Sequence, residues 1–310
     1  MTLQSGLLAV WFLFLAIFPL EGWAGPRVVV SIKPIHSLVA GVMKGTGEPD
    51  LLLPGIASPH AHALRPSEAA LLRHADVVFW IGRDLETFLV KPLAQLATNA
   101  KVVALHQTPG LVLLPNRETV ERLATDETPA VDGNHHPGTS DMHLWLDPVN
   151  AVAMVRWIAQ TLEEIDPPMA ARYRDNALGL EKRIERSTAD FQKRLSHVQG
   201  KPFLVFHDAY HYFENRFGLT CAGFISINPE RPISAHRLKE IHTRIVQSGS
   251  RCIFAEPQFE PAIIDTLLAN HAIRKGTLDP LGSDGPMGEE GWFVLMEQLV
   301  TRLSECLDRP

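Results

Sequence analysis

Four residues of this chain carry side chains that ligate divalent metals and stand at comparable places along it. His60 follows the apolar run Leu51-Leu52-Leu53-Pro54, and His143 lies in Met142-His143-Leu144-Trp145-Leu146-Asp147-Pro148. His207 closes Phe203-Leu204-Val205-Phe206, and Asp279 closes Gly276-Thr277-Leu278. Neutral imidazole suits zinc and is a poorer match to the harder Mn2+. Three imidazoles leave the two charges of the ion uncompensated, so an anionic Asp279 or a water would fill the fourth tetrahedral position. A lone histidine is more commonly a cap or a core residue; four metal-ligating groups in equivalent positions weaken that explanation. Spacing alone does not establish that they meet.

The elements around them must do the positioning. Arg27–Ile32, Asp50–Leu53, Asp76–Ile81 and Lys101–Leu105 read as short strands, with helices at Pro34–Met43, Pro66–His74 and Asp84–Leu96, the last kinked at Pro92. The pattern returns with strands at Pro202–His207, Leu219–Ile225, Arg251–Glu256 and Ile273–Asp279. Helices near Tyr210, over Ser234–Ser248 and over Pro261–Asn270 separate these strands, and a last helix runs from Glu289 to Cys306. Strand–helix alternation predicts mostly parallel sheets covered on both faces. Ligands of such sheets gather outside the carboxyl ends of the strands. The fold class is therefore α/β, with two of the four candidates on each of two lobes and a site in the cleft between them.

Between the halves the texture changes. Pro148–Ile165 reads as one helix, Asp166-Pro167-Pro168 breaks it, and Met169–Val198 continues as a long, densely charged one. Leu178, Ile184, Phe191, Leu195 and Val198 recur along it as an apolar stripe. About 30 residues of helix extend about 45 Å, enough to run behind both lobes as a strut that limits hinge motion. The expected organisation is a signal peptide over 1–24, an N-terminal lobe over 25–165, a connecting helix over 166–200 and a C-terminal lobe over 201–310. Leu7–Leu20 is too short to span a bilayer comfortably, and Gly22-Trp23-Ala24 offers small residues where a signal peptidase cuts, although no Lys or Arg precedes Leu7. The length of 310 residues accommodates two domains. A net charge of −6 without a basic run argues against a nucleic-acid partner.

Taken together, the motifs resemble a known family. They are Lys33-Pro34-Ile35-His36-Ser37-Leu38, His60 through Leu64-Arg65-Pro66-Ser67, Met142-His143-Leu144-Trp145-Leu146, Phe206-His207-Asp208-Ala209-Tyr210, Phe254-Ala255-Glu256-Pro257-Gln258-Phe259 and Gly276-Thr277-Leu278-Asp279-Pro280-Leu281-Gly282. In order and over nearly the whole mature chain, they look like the zinc-specific (ZnuA-like) solute-binding proteins of ABC importers. The resemblance implies zinc as transported ligand at His60, His143 and His207, a periplasmic location and an inner-membrane ABC permease as partner. The expected form is a monomer with no membrane segment in the mature chain. Many members carry Glu just before the first histidine, where this chain has Pro59, and His62 is then a substitute ligand to consider. Members often carry a long His-rich loop, here reduced to Asp132-Gly133-Asn134-His135-His136-Pro137-Gly138, which reads as a solvated loop, with a weak secondary metal site at the His pair as the alternative.

Asp208 and Glu256 are candidates to hold the far nitrogens of the imidazoles, and His211 could shield the site. Manganese-carrying members of the wider family place a carboxylate where this chain has His207, so a manganese or iron carrier is the nearer alternative. A zinc hydrolase is the more distant one, and the chain has neither His-Glu-x-x-His nor Gly-x-Ser-x-Gly. An enzyme is not expected. Cys221, Cys252 and Cys306 allow three pairings with one thiol left over; the resemblance pairs Cys252 with Cys306 and leaves Cys221 as a buried thiol.

Overall fold

The computed structural model describes residues 25–117, 140–226, 235–259, 264–265 and 273–308. The export segment 1–24, the loop with His135 and His136, and most of the helix expected over Pro261–Asn270 lie outside the described residues.

The first half runs β1 (Val28–Val30), α1 (Lys33–Val42), β2 (Asp50–Leu51), α2 (Pro66–His74), β3 (Val77–Trp80), α3 (Val90–Leu96) and β4 (Lys101–Ala104). Its four strands are parallel in the order β2-β1-β3-β4. Leu52 and Leu53 leave β2 but still donate to Val30 O and Ser31 O at 2.8 and 3.0 Å, so the chain departs toward His60 along a fixed line. Two helices follow, α4 (Pro148–Ile165) and α5 (Ala170–Leu195). The second half then runs β5 (Pro202–His207), α6 (His211–Phe217), β6 (Thr220–Ser226), α7 (Ala235–Ser248), β7 (Cys252–Ala255), β8 (Arg274–Thr277) and α8 (Gly291–Asp308). Its sheet repeats the same order, β6-β5-β7-β8, again parallel throughout. Each sheet therefore reverses direction once, between β1 and β3 and between β5 and β7. At such a point adjacent loops diverge and leave a crevice.

The two crevices are furnished differently. In the first, Glu86 is fully buried and its carboxylate accepts from Gly82 N at 3.0 Å. Burial pushes its pKa up to about 7, with hydrogen bonds from Ser31, Gly82 and Ile81 working the other way. In the second crevice, His207 ends β5 and Glu256 follows β7.

One apolar core runs through both halves, from Val28 and Val30 through Ile184 and Phe191 to Phe203, Val205 and Trp292. Polar contacts stitch the same seam. Trp145 Nε1 donates to Pro280 O at 2.7 Å, and Trp292 Nε1 donates to Trp145 O at 2.8 Å. Ser37 Oγ accepts from Trp292 N at 2.8 Å, at the start of α8, and Lys33 Nζ donates to Ser283 O at 2.7 Å. Among the described residues no helix is long and apolar enough to cross a membrane.

Three local expectations need correction. The third helix of the first half does not start at Asp84: a 3-10 turn over Thr87–Leu89 leads into α3 at Val90. Pro92 consequently falls in the first turn, where its missing N–H is not needed, rather than at a kink. Leu178 is 49% exposed, and Tyr173, Ala177 and Leu180 continue the buried stripe that Ile184, Phe191 and Leu195 carry forward. One residue along a helix turns about 100°, which carries Leu178 off that stripe. The charges of α5 are also less solvated than their density suggests. Arg183 pairs with Glu290 of the segment leading into α8 and lies over the Phe293 ring at 3.7 Å, and Arg194 reaches Glu297 at 2.7 Å.

A disulfide joins Cys252 at the start of β7 to Cys306 near the end of α8, 54 residues apart. Cys221 is half-buried rather than buried, with its thiol donating to Gly223 O at 3.3 Å. Burial and then the charge of Glu214 push that thiol well above its ordinary pKa. In the chain-entropy model a loop of this length contributes about 4 kcal/mol. Replacing both Cys252 and Cys306 by Ser is expected to lower unfolding stability by roughly 2–4 kcal/mol in denaturant titrations. A non-reducing peptide map that joined Cys221 to either partner would contradict the pairing.

Candidate metal centre

Each histidine owes its place to a different local device. His60 sits in the turn between β2 and α2, with its amide donating to Ser58 Oγ at 3.3 Å and the buried Pro59 packed behind it. His143 precedes a 3-10 turn over Leu144–Leu146 that leads into α4. Helix α4 is started by Pro148 and by Asp147, whose carboxylate accepts from Val149 N at 2.9 Å. His207 is the last residue of β5, so the register of the second sheet fixes its backbone.

The three rings converge. Centroids lie 5.8 Å apart for His60 and His143, and 5.0 Å apart for each of these and His207. One ligand nitrogen from each lies within 4.8 Å of the others, a group that could hold a metal ion. Zinc–nitrogen bonds of about 2.0–2.1 Å set neighbouring ligand atoms roughly 3.4 Å apart in a tetrahedron. The separations of up to 4.8 Å therefore leave at most about 1.4 Å for the ligand atoms to close. His143 and His207 are 7% and 2% exposed whereas His60 is half-buried, so the site opens on the His60 side. His60 Nε2 is buried with no hydrogen-bond partner among the described residues. A buried ring nitrogen without a partner is costly, and a cation at the centre would relieve that cost.

Carboxylates hold the far nitrogens of two rings. His143 Nδ1 lies 2.7 Å from Asp141 Oδ1, which also accepts from His143 N at 3.0 Å. His207 Nδ1 lies 3.3 Å from Glu256 Oε2, and Tyr210 Oη donates to the other oxygen at 3.2 Å. These bonds turn the Nε2 atoms inward and fix the tautomer. Burial opposes charge on His143, yet the Asp141 carboxylate outweighs it and raises the pKa above the ordinary value. Burial, together with the other two imidazoles, holds His60 well below that value. Burial also pushes Glu256 well above the ordinary carboxylate value, against the opposing pull of His143 and the Tyr210 hydrogen bond.

Of the expected outer partners, Glu256 is found on His207, while Asp208 is engaged by Arg117 instead. Asp141 was missed, although Asp-x-His in Asp141-Met142-His143 is a spacing that lets one carboxylate reach both the amide and the ring. Asp279 is not in the three-histidine group; its oxygens accept from Gln258 Nε2 at 2.7 Å, Leu281 N at 3.0 Å and Ser283 N at 2.5 Å. His62 points elsewhere, pairing with Glu68 at 2.9 Å against the Phe88 ring. Glu68 in turn accepts from Arg65 N at 2.7 Å and so caps α2. His211 stands beside the site, with Nδ1 4.0 Å from Asp141 Oδ2.

Fold and site together define a class: a two-lobed α/β protein in which three histidines from both halves form a group that could hold a small cation. The model of the family described as zinc-uptake complex component A, periplasmic, matches residues 28–306, and the chain belongs to that family. It is 41% identical to the high-affinity zinc uptake system protein ZnuA of Brucella suis biovar 1 (strain 1330), over 96% of each chain. It is 37% identical to the protein of the same name from Yersinia pestis, over 92% of each. Among solved structures, one of ZnuA superposes with a TM-score of 0.76 at 22% identity, covering 91% of this chain and 99% of that one. The binding protein FpvC of Pseudomonas aeruginosa, solved with Mn2+, superposes with a TM-score of 0.77 at 20% identity, covering 91% and 98%. At these identities the two structures speak to the fold alone.

The pairing of His62 with Glu68 generates a test. His62→Ala is expected to lower stability by about 1 kcal/mol through the weakened cap and to leave zinc retention against a competing chelator at the parent level. A tenfold loss of zinc affinity in a folded His62→Ala protein would make His62 a ligand after all.

Proposed function

We propose that this protein is the periplasmic zinc-binding component of a high-affinity ABC uptake system, and that His60, His143 and His207 hold the ion. The observation that carries the reading is the convergence of three imidazoles, two of them backed by carboxylates, within reach of one cation. Membership of a zinc-uptake family supports zinc over manganese or iron, as does the absence of a carboxylate from that trio. In this reading the protein is a monomeric carrier and not a catalyst. Residues 1–24 serve as a cleaved export signal, 25–165 and 201–310 form the two lobes, and 166–200 connects them. A membrane permease receives the ion.

The fourth position is proposed to hold water, with Asp279 behind it. Three donors already engage both oxygens of Asp279, which favours contact through water over direct coordination. Asp141 supplies negative charge across the His143 ring without occupying a coordination position. A carrier that must let its ion go is served by an exchangeable fourth ligand.

Metal-free protein titrated with zinc against a chelator is expected to bind one equivalent without hydrolysing esters or phosphates. His60→Ala should weaken binding more than Asp279→Ala does, and the latter only about tenfold. Equal affinities of Asp279→Ala and the parent would remove Asp279 from the site.

Zinc binds only unprotonated imidazole, so the two shifts give the pH dependence a sign. The raised His143 pKa makes its proton the first to compete as pH falls; the lowered pKa of His60 keeps that ring neutral until lower pH. Affinity should therefore fall by less than three powers of ten per unit near the ordinary imidazole value of about 6.5, and steepen on further acidification. An affinity constant from roughly pH 5 to 7.5, with circular dichroism unchanged, would mean that histidines do not hold the ion.

A further inference from the structure

We propose that Arg117 is a positioning residue for the metal centre, clamping the β5–α6 corner that presents His207 to the segment that presents His143. The inference rests on the three-histidine reading above. Arg117 comes from the chain leaving the first sheet, yet its partners belong to the second half. Nε lies 2.8 and 3.0 Å from the two oxygens of Asp208, and Nη2 also bonds Asp208 Oδ1. Nη1 donates to Glu214 Oε2 at 2.7 Å, and Nη2 is 3.4 Å from Glu214 Oε1. The guanidinium carbon lies 5.5 Å from the centroid of the Phe224 ring.

Asp208 is bonded to His207 through one peptide, and its amide donates to Ser226 O at the end of β6 at 3.1 Å. Glu214 lies on α6. Both carboxylate side chains are 5% exposed, and Arg117 is the cation that meets them. Two buried carboxylates side by side are tolerated only with such a partner. Burial pushes Glu214 up to about 7 even with Arg117 against it. A planar fork fixes direction as well as charge, which a lysine ammonium does not.

The same segment closes a circuit to the first lobe's ligand. Leu114 N donates to Tyr212 Oη at 3.0 Å, Tyr212 Oη donates to Asp141 O at 2.8 Å, and Asp141 N donates to Leu114 O at 2.9 Å. Pro115 and Ser140 form an antiparallel bridge beside these bonds. Asp141 is the residue that grips His143. From His207 through Asp208, Arg117, Leu114 and Asp141 to His143, each step is a covalent neighbour or a hydrogen bond, apart from the short chain from Leu114 to Arg117. Without the fork, Asp208 and Glu214 lose the donors that hold them, the corner carrying His207 relaxes, and one of three ligands loses its registry.

The test uses full-length metal-free protein titrated with zinc against a chelator, and separately with Co2+, whose visible d–d absorption reports ligand geometry. Arg117→Ala is expected to bind zinc roughly ten- to a hundredfold more weakly and to show a shifted or weakened cobalt band at unchanged circular dichroism. Arg117→Lys restores charge without the fork and is expected to stay folded with the cobalt band still altered. If the Ala variant does not fold, the Lys variant decides alone. A folded variant, either Ala or Lys, that matches the parent within twofold in zinc affinity and in cobalt spectrum overturns the proposal. Failure of the underlying reading looks different: the parent itself would lack a tetrahedral cobalt spectrum, or His60→Ala would leave that spectrum unchanged.

Discussion

The hydrogen bond from the Trp145 indole to Pro280 O ties together the two halves of a site that neither half contains. Trp145 lies two residues beyond His143, and its own carbonyl accepts from the Trp292 indole. All of these groups are buried, where an unmade bond costs about 1–3 kcal/mol. Sliding one lobe past the other would break several of them together while opening the continuous core. The distance between His143 and His207 is therefore set by the seam, and loops need only point the rings inward.

On that fixed frame the electrostatics are uneven. Asp141 raises the pKa of His143, whereas burial pushes Glu256 beside His207 well above the ordinary carboxylate value. The imidazole on the open side, His60, has no carboxylate partner, and burial with the neighbouring imidazoles holds its pKa well below the ordinary value. An approaching cation thus meets a neutral ring first and an anion-backed ring further in. That order favours entry without requiring a proton to leave at the mouth.

Much of the fold was legible in the sequence because its strands are short apolar runs bounded by turn residues, and because Pro66, Pro148 and Gly218 mark helix ends by plain backbone chemistry. Of the candidate ligands, His207 closes an apolar strand and has few places to point except beyond the sheet, whereas His60 and His143 lie in turns outside the strands. What stayed hidden depended on partners distant in sequence. Leu178 reads as part of a stripe because it is apolar and lies near the buried face, and only packing shows that its neighbours Ala177 and Leu180 are the buried residues. Asp279 and His62 have the right chemistry for ligands, but backbone amides claim one and a helix cap claims the other. Arg117 gives no local signal, since both of its partners lie some ninety residues away.

The repeated strand order carries a consequence for stoichiometry. A duplicated sheet offers two equivalent crevices, and each could have become a receptor. Here Glu86 fills the first by bonding the backbone of its own loop, while the second receives His207 and draws its other two imidazoles from across the seam. Among the described residues the molecule consequently has one address for an ion. An ion held at one such address fills it along a simple hyperbola, rising from a tenth to nine-tenths full over about a hundredfold range of free ion. Such a carrier reports supply gradually rather than as a threshold, and every encounter with its receiver transfers one ion or none.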